Sequence, residues 1–419
     1  MKITIVTGGS HGDLHPFLAI ARRLIARGHD VELLAHPHFR ADVLAAQVPH
    51  VAIAESLDAE RILHNPDLMH RRKGGLLVLE MVIESVPESV ATLRRHLLRR
   101  QPDVLLAHHI CFGAPWVARE LVLPCAIASL APIAWFSRHD PVPLSARRPG
   151  VVHARLARIA DHGLRGIAGW YGDRLLNRVR TRIGLPRERG VFLHQFRGGD
   201  VNLALWSPQF RPPLADDPPH SRICGFAWYD RSDRMPQLSA ALERFLESGS
   251  PPIVFSLGTA AIYSAGDFYQ VATQACQMLG RRGVLLTGRV ENEPRELPPS
   301  MLACQYAPFS LLLPRGGASV HHGGIGSTAQ AAARRPADGG RAARLHDQFH
   351  NALYAVRLGV GVVVARHRLT AVRLAGALPC WTMRGCAIGP PRSARRSRAR
   401  TGRWSLPRHR GIARRKMTV

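Results

Sequence analysis

Lysine is almost missing from this 419-residue chain: Lys2, Lys73 and Lys416 are the only three, so arginine carries nearly all of the +27 formal charge. So strong an arginine bias reflects a GC-rich coding sequence better than selection for phosphate contacts. Acidic residues are missing from Gln348 to Val419, where 16 Lys+Arg lie. The residues before that hold 41 basic against 30 acidic side chains, or +11. No helix-turn-helix, zinc-finger or RNA-binding motif accompanies the charge, so no specific nucleic acid is expected as a partner. The seven cysteines are odd in number and never spaced Cys-x-x-Cys, which fits free thiols in a reducing compartment better than a disulfide framework or a zinc site. No apolar run is long enough to span a bilayer: the longest, Leu121–Phe136, is broken by Pro124 and Pro132. The start, Met1-Lys2-Ile3-Thr4-Ile5-Val6, enters a strand rather than a signal-peptide core. A cytoplasmic protein is expected, with peripheral membrane contact as the one membrane association left open.

What is present is an ordinary globular composition, 46% hydrophobic and 21% charged, in a chain long enough for two α/β domains. Lys2–Thr7 reads as a strand, residues 8–13 as a glycine turn, Pro16–Arg27 as a helix closed by Gly28, and Val31–Ala35 as the next strand. That order opens a right-handed βαβ unit. Further strands are expected at Val104–Ala107, Cys125–Ser129 and Val201–Leu205, with helical patches at 153–168 and 173–183. A second α/β pattern follows: strands at Pro252–Leu257, Val284–Thr287, Ala303–Tyr306 and Ala318–Val320, with a helix over 267–281. The fold class is therefore α/β, two Rossmann-like doubly wound domains facing a cleft. The predicted divisions are an N-terminal domain over 1–220, a linker over 221–245, a C-terminal domain over 246–371 and an irregular Arg-rich tail over 372–419.

The most informative stretch is His321-His322-Gly323-Gly324-Ile325-Gly326-Ser327-Thr328-Ala329-Gln330-Ala331. Glycines let backbone amides approach a ligand, and a helix start attracts negative charge, so the loop is suited to phosphate. Ser327 and Thr328 are predicted as its helix cap. The spacing matches neither the dinucleotide nor the NTPase fingerprint. A second polar cluster follows at His346-Asp347-Gln348-Phe349-His350-Asn351.

These motifs resemble those of nucleotide-sugar-dependent glycosyltransferases of the GT-B fold, namely the bacterial antibiotic and rhamnolipid-type transferases and the sterol glucosyltransferases. Gly9-Ser10-His11-Gly12-Asp13-Leu14-His15-Pro16 is similar to their N-terminal Gly-Ser-x-Gly-Asp-x-x-Pro signature. Phe255-Ser256-Leu257-Gly258-Thr259 resembles the first strand and turn of their second domain. Tyr306-Ala307-Pro308-Phe309 falls where relatives carry Trp-x-Pro-Gln, and the 321–331 loop with Asp347-Gln348 resembles their donor box. The resemblance implies an inverting transferase moving a hexose or deoxyhexose from a UDP- or dTDP-sugar to a hydroxyl of a lipophilic acceptor. It implies Asp13 as general base, assisted by His11 and His15, although Asp13 equally suits a helix cap. It implies donor contacts from Ser256, Thr259, Tyr306, His322, Gly324, Gly326, Ser327, Thr328, Asp347 and Gln348, with Asn351 structural. The nucleotide sugar is a co-substrate and no cofactor is implied. Asp-x-Asp occurs nowhere in the chain, which disfavours a metal-dependent transferase. The acceptor pocket is expected within residues 60–190. The competing readings are a sugar-nucleotide epimerase or hydrolase, and a basic-tailed nucleotide-sugar-binding or nucleic-acid-associated protein without transferase activity.

The resemblance breaks twice. Residues 332–345 hold no four-residue apolar run where relatives have a hydrophobic strand, and from 372 the sequence turns Arg/Pro/Ser-rich without apolar period. Both stretches read as products of coding frameshifts, a compensated pair over 332–345 and an uncorrected one near 372. The strand is then expected to be lost and activity impaired. Resequencing the gene is expected to reveal these shifts; a confirmed frame, with the same residues in close relatives, refutes them.

Overall fold

Short aliphatic and β-branched runs supply thirteen strands in the computed structural model, which describes residues 1–69, 73–140, 151–193, 195–230, 236–333, 342–346 and 349–378. The first sheet holds β1 (Lys2–Val6), β2 (Asp30–Ala35), β3 (His50–Ala52), β4 (Val104–His108), β5 (Cys125–Ser129), β6 (Val201–Ala204) and β7 (Ser221–Ile223). The second holds β8 (Ile253–Ser256), β9 (Gly283–Leu286), β10 (Met301–Cys304), β11 (Ala318–His321), β12 (Ala342–His346) and β13 (Gly361–Ala365). Their orders are β3-β2-β1-β4-β5-β6-β7 and β10-β9-β8-β11-β12-β13. Every neighbouring pair is parallel, as when Ile5 pairs with both Leu33 and Leu106. In each sheet the order reverses once, between β1 and β4 and between β8 and β11. Ligands of open parallel sheets bind at the carboxyl ends of strands beside such a reversal.

Helices cover both faces, as parallel sheets require. The helix His11–Ile25 buries Leu14, Phe17, Leu18 and Ala21, a stripe at 3.6-residue period. It stops as predicted at Gly28, whose N–H bonds Ile25 O at 2.9 Å while the His29 N–H bonds Leu24 O at 3.2 Å. Its start differs from expectation: Ser10 is the N-cap and Asp13 lies within the first turn. The two helical patches at 153–168 and 173–183 are one helix, Val151–Arg182.

The strand expected to be lost is present. Ala342–His346 pairs with β11 on one side and β13 on the other. A strand flanked by two parallel neighbours has its amides and carbonyls bonded on both sides whatever its side chains, so the missing apolar run does not prevent pairing. Nor does irregular chain begin at 372. The helix Ala371–Ala377 buries Leu374 and Ala375, and Leu378 just beyond it, in the same core cluster as Phe255, Ala272 and Leu285. Residues 379–419 lie outside the described residues. The predicted linker is also shorter at both ends: β7 adds to the first sheet, and Leu242 and Leu246 of the helix Ala240–Glu247 are buried with Val254 and Val284.

Replacing Leu374, fully buried, by alanine is expected to destabilise the chain by about 2–5 kcal/mol in urea unfolding. A cost near zero would show that the 371–377 helix is undocked.

Candidate functional site

Both strand-order reversals carry the residues singled out in the sequence. At the first, β1 ends in the turn Gly8–Ser10 and β4 ends in His108, followed by His109. The Asp13 carboxylate folds back to accept hydrogen bonds from Ser10 N–H at 2.7 Å and Ser10 Oγ at 2.9 Å. A Cβ at Gly9 would fall 2.4 Å from Asp13 Oδ2, so this close approach needs glycine. The other carboxylate oxygen stands 4.0 Å from His108 Nε2. Loss of water raises the Asp13 pKa, against the lowering pull of the two Ser10 bonds. The side chain keeps 33% of its surface exposed, so the rise is smaller than full burial would produce.

His11 and His15 lie on other faces of the helix than Asp13. Positions two apart on a helix point about 200° away from each other, so neither histidine shares a face with Asp13. His11 Nε2 instead meets the buried Asp42 carboxylate at 3.0 Å, and the His15 ring lies 5.4 Å from that of Tyr229. The imidazoles near Asp13 are His108 and His109, which sequence reasoning missed. Burial pushes both down to about 3, so they are uncharged at neutral pH. Their only sequence signal is a polar pair ending the apolar run Val104–Ala107.

Beside this turn a cavity of about 1010 Å³, open mouth included, is walled by Phe39, Ile53, Val82, Val86, Leu93 and Phe112. Gly9, Ser10 and His11 line its polar rim with His36 and His38, and Thr259 joins them from the second sheet. Only part of the expected 60–190 stretch contributes; residues 36–59 supply much of the wall.

At the second reversal, His322 follows β11 directly and packs between two glycines. A Cβ at Gly258 would come within 2.3 Å of its ring, and one at Gly324 within 2.4 Å. Gly258 also has φ +70°, which a side chain would strain. Burial lowers His322 to about 4, and its Nδ1 has no hydrogen-bond partner among the described residues. The next helix spans Ile325–Ala333, so Ser327 and Thr328 lie within its first turn rather than capping it. Gly323 and Gly324 precede it, which leaves the first helical amides facing the loop. The Thr328 hydroxyl is buried without a hydrogen-bond partner among the described residues.

The remaining predicted donor residues scatter more widely. Ser256 is buried and its Oγ accepts the Gly258 N–H at 3.3 Å, shaping the turn. Thr259 lines the large cavity rather than the pocket that holds His322. Tyr306 follows β10, two strands from β8, and is 49% exposed. Gly326 is exposed on the helix start. Asn351 takes the structural part read for it, its Nδ2 donating to Gly323 O at 3.2 Å. Asp347 and Gln348 lie outside the described residues. Among the described residues no cluster of metal-ligating side chains occurs, and no helix is long and apolar enough to cross a membrane.

Residues 3–121 match the glycosyltransferase family 28 N-terminal domain. The chain is 28% identical to glycosyltransferase GtfC of Amycolatopsis orientalis over 333 residues, 78% of this chain and 77% of the relative. It is 25% identical to the sterol 3-beta-glucosyltransferase UGT80A2 of Arabidopsis thaliana over 345 residues, 78% of this chain but only 52% of that longer protein. Among solved structures, the glycotransferase of kitacinnamycin superposes with a TM-score of 0.66 at 21% identity, covering 90% of this chain and 89% of that one. Glycosyltransferase VinC in complex with dTDP superposes at 0.62 and 17% identity, covering 91% and 90%. Two parallel sheets in Rossmann order, a glycine-flanked histidine at the second reversal and these likenesses agree: the chain has the GT-B fold and is similar to UDP-glycosyltransferase-like enzymes.

Proposed function

We propose that this enzyme moves a hexose or deoxyhexose from a UDP- or dTDP-sugar to a hydroxyl of a lipophilic acceptor, with inversion and without a metal ion. The observation that carries the reading is His322, held between Gly258 and Gly324 at the start of a helix, with a buried nitrogen lacking a hydrogen-bond partner among the described residues. A neutral imidazole there can donate to a phosphate oxygen while the helix amides and dipole draw negative charge. The apolar cavity beside Asp13 supports a lipophilic acceptor, and the sterol relative and the dTDP-bound neighbour agree with this pairing. Exposed Leu76, Ile167 and Trp170 support a peripheral membrane contact.

In the proposed reaction the acceptor oxygen bonds to the anomeric carbon as the bond from that carbon to the diphosphate oxygen breaks. The hydroxyl proton passes to Asp13, and the electron pair leaves with the nucleoside diphosphate. Neutral His108 and His109 suit this step, because a protonated neighbour would weaken Asp13 as a base. Gly324, Gly326, Ser327 and Thr328 would present the helix start to the diphosphate. Ser256 and Thr259 would border it, Tyr306 would stack on the nucleobase, and Asp347 and Gln348 would hold the sugar hydroxyls.

A panel of UDP- and dTDP-sugars tests this. Asp13→Asn is expected to lower kcat by about 10²–10⁴-fold. In the unsubstituted enzyme kcat falls on the acid side as Asp13 gains its proton, at a pH above its ordinary 3.8, and this limb is absent from the variant. His322→Ala is expected to cost about 10²–10³-fold in kcat. Gly324→Ala, whose methyl would overlap the ring, is expected to act in the same direction. Unchanged turnover in Asp13→Asn and His322→Ala would overturn the site.

A further inference from the structure

The second half of the chain reaches into a core cluster of the first through the helix Phe349–Arg357. Tyr354, on the helix Phe349–Arg357, is 3% exposed and belongs to the hydrophobic cluster of Trp135, Phe192 and Phe210. Its ring lies 4.7 Å from that of Phe210. Its hydroxyl donates to Asp140, a residue of the first half whose side chain is only 9% exposed. Arg357 Nη1 donates to the other Asp140 oxygen at 2.8 Å, and His350 Nε2 stands 3.9 Å away. His350, Tyr354 and Arg357 recur at i, i+4 and i+7, so one helix face converges on one carboxylate.

The same helix holds the donor loop. Asn351 lies about 100° round from His350 and donates from Nδ2 to Gly323 O at 3.2 Å. Ile325, at the other end of the glycine turn, packs against core residues of the first half. The loop carrying His322 is thus fixed from two directions, both depending on contact between the halves.

We propose that Asp140 is a positioning residue for the donor: by clamping the 349–357 helix it sets Asn351, and through Asn351 the Gly323 carbonyl and the turn that carries His322. The acceptor-side half thereby completes the nucleoside diphosphate site without touching the ligand. Charge and hydrogen bonding, rather than volume, make the clamp, since the carboxylate has three polar groups around it and takes one hydrogen bond on each oxygen. The inference rests on the reading of 321–328 as the diphosphate site.

The test uses the full chain, with UDP and dTDP as donor-site probes in calorimetry and N-phenylnaphthylamine as the apolar-cavity probe. Asp140→Asn is expected to weaken nucleoside diphosphate binding about tenfold, with the apolar probe unaffected and donor KM, not acceptor KM, raised. Asp140→Glu keeps the charge and is expected to bind more tightly than the asparagine variant, although it fits less well. A glutamate variant weaker than asparagine would assign the position to packing and overturn the proposal. If Asp140→Asn does not fold, Tyr354→Phe, which keeps the ring on Phe210, is expected to weaken binding about threefold. Unchanged affinity there overturns the clamp. His322→Ala separates the two ideas: nucleotide binding retained in it refutes the donor-site reading. Binding lost in it but retained in Asp140→Asn refutes the clamp alone.

Discussion

Every chemically interesting side chain depends on one topological constraint. Right-handed crossovers between parallel strands put helices on both faces of an open sheet only where the strand order reverses, and at the reversal two neighbouring strands send their loops in opposite directions. The crevice between those loops is where backbone amides and polar tips can face a ligand. Asp13, His108 and His109 stand at one such crevice, and Gly258, His322 and Gly324 at the other. Neither set could be assembled within a single loop, because β1 and β4 are separated by about a hundred residues and β8 and β11 by more than sixty.

Within the crevices, dryness rather than charge decides the chemistry. The imidazoles of His108, His109, His322 and His350 are all pushed down to about 3 or 4 by burial, so a chain of +27 formal charge holds its central histidines neutral. Neutral rings act through direction, as hydrogen-bond donors and acceptors held by tight packing. That explains the demand for glycine on both sides of His322.

The framework is legible in the sequence because buried parallel strands are written as short aliphatic runs, and glycine turns mark their ends. The glycine turn at 8–13 and the phosphate-type loop at 321–331 can be named from residue types and order alone. The long-range partners cannot. Asp42 meets His11 across 31 positions and Asp140 meets Tyr354 across 214, and no local pattern announces either pair. Direction within a helix is also not written in nearness along the chain: His11 and His15 lie on other faces than Asp13. The stretch 332–345 fails for another reason: side-chain hydrophobicity is not what the strand there requires, whereas two waiting edges are.

Those waiting edges have a consequence for how the protein withstands change. β11 and β13 present complementary rows of amides and carbonyls whose spacing is fixed by the rest of the sheet, so the slot between them sets backbone length and direction. A segment without an apolar run is paired there, as Ala342–His346 is. Residues downstream, from Phe349 to Leu378, are then delivered to their places with Tyr354 and Asn351 intact. The middle of the second sheet is thus held by backbone pairing on both sides, which keeps the chain beyond it in register.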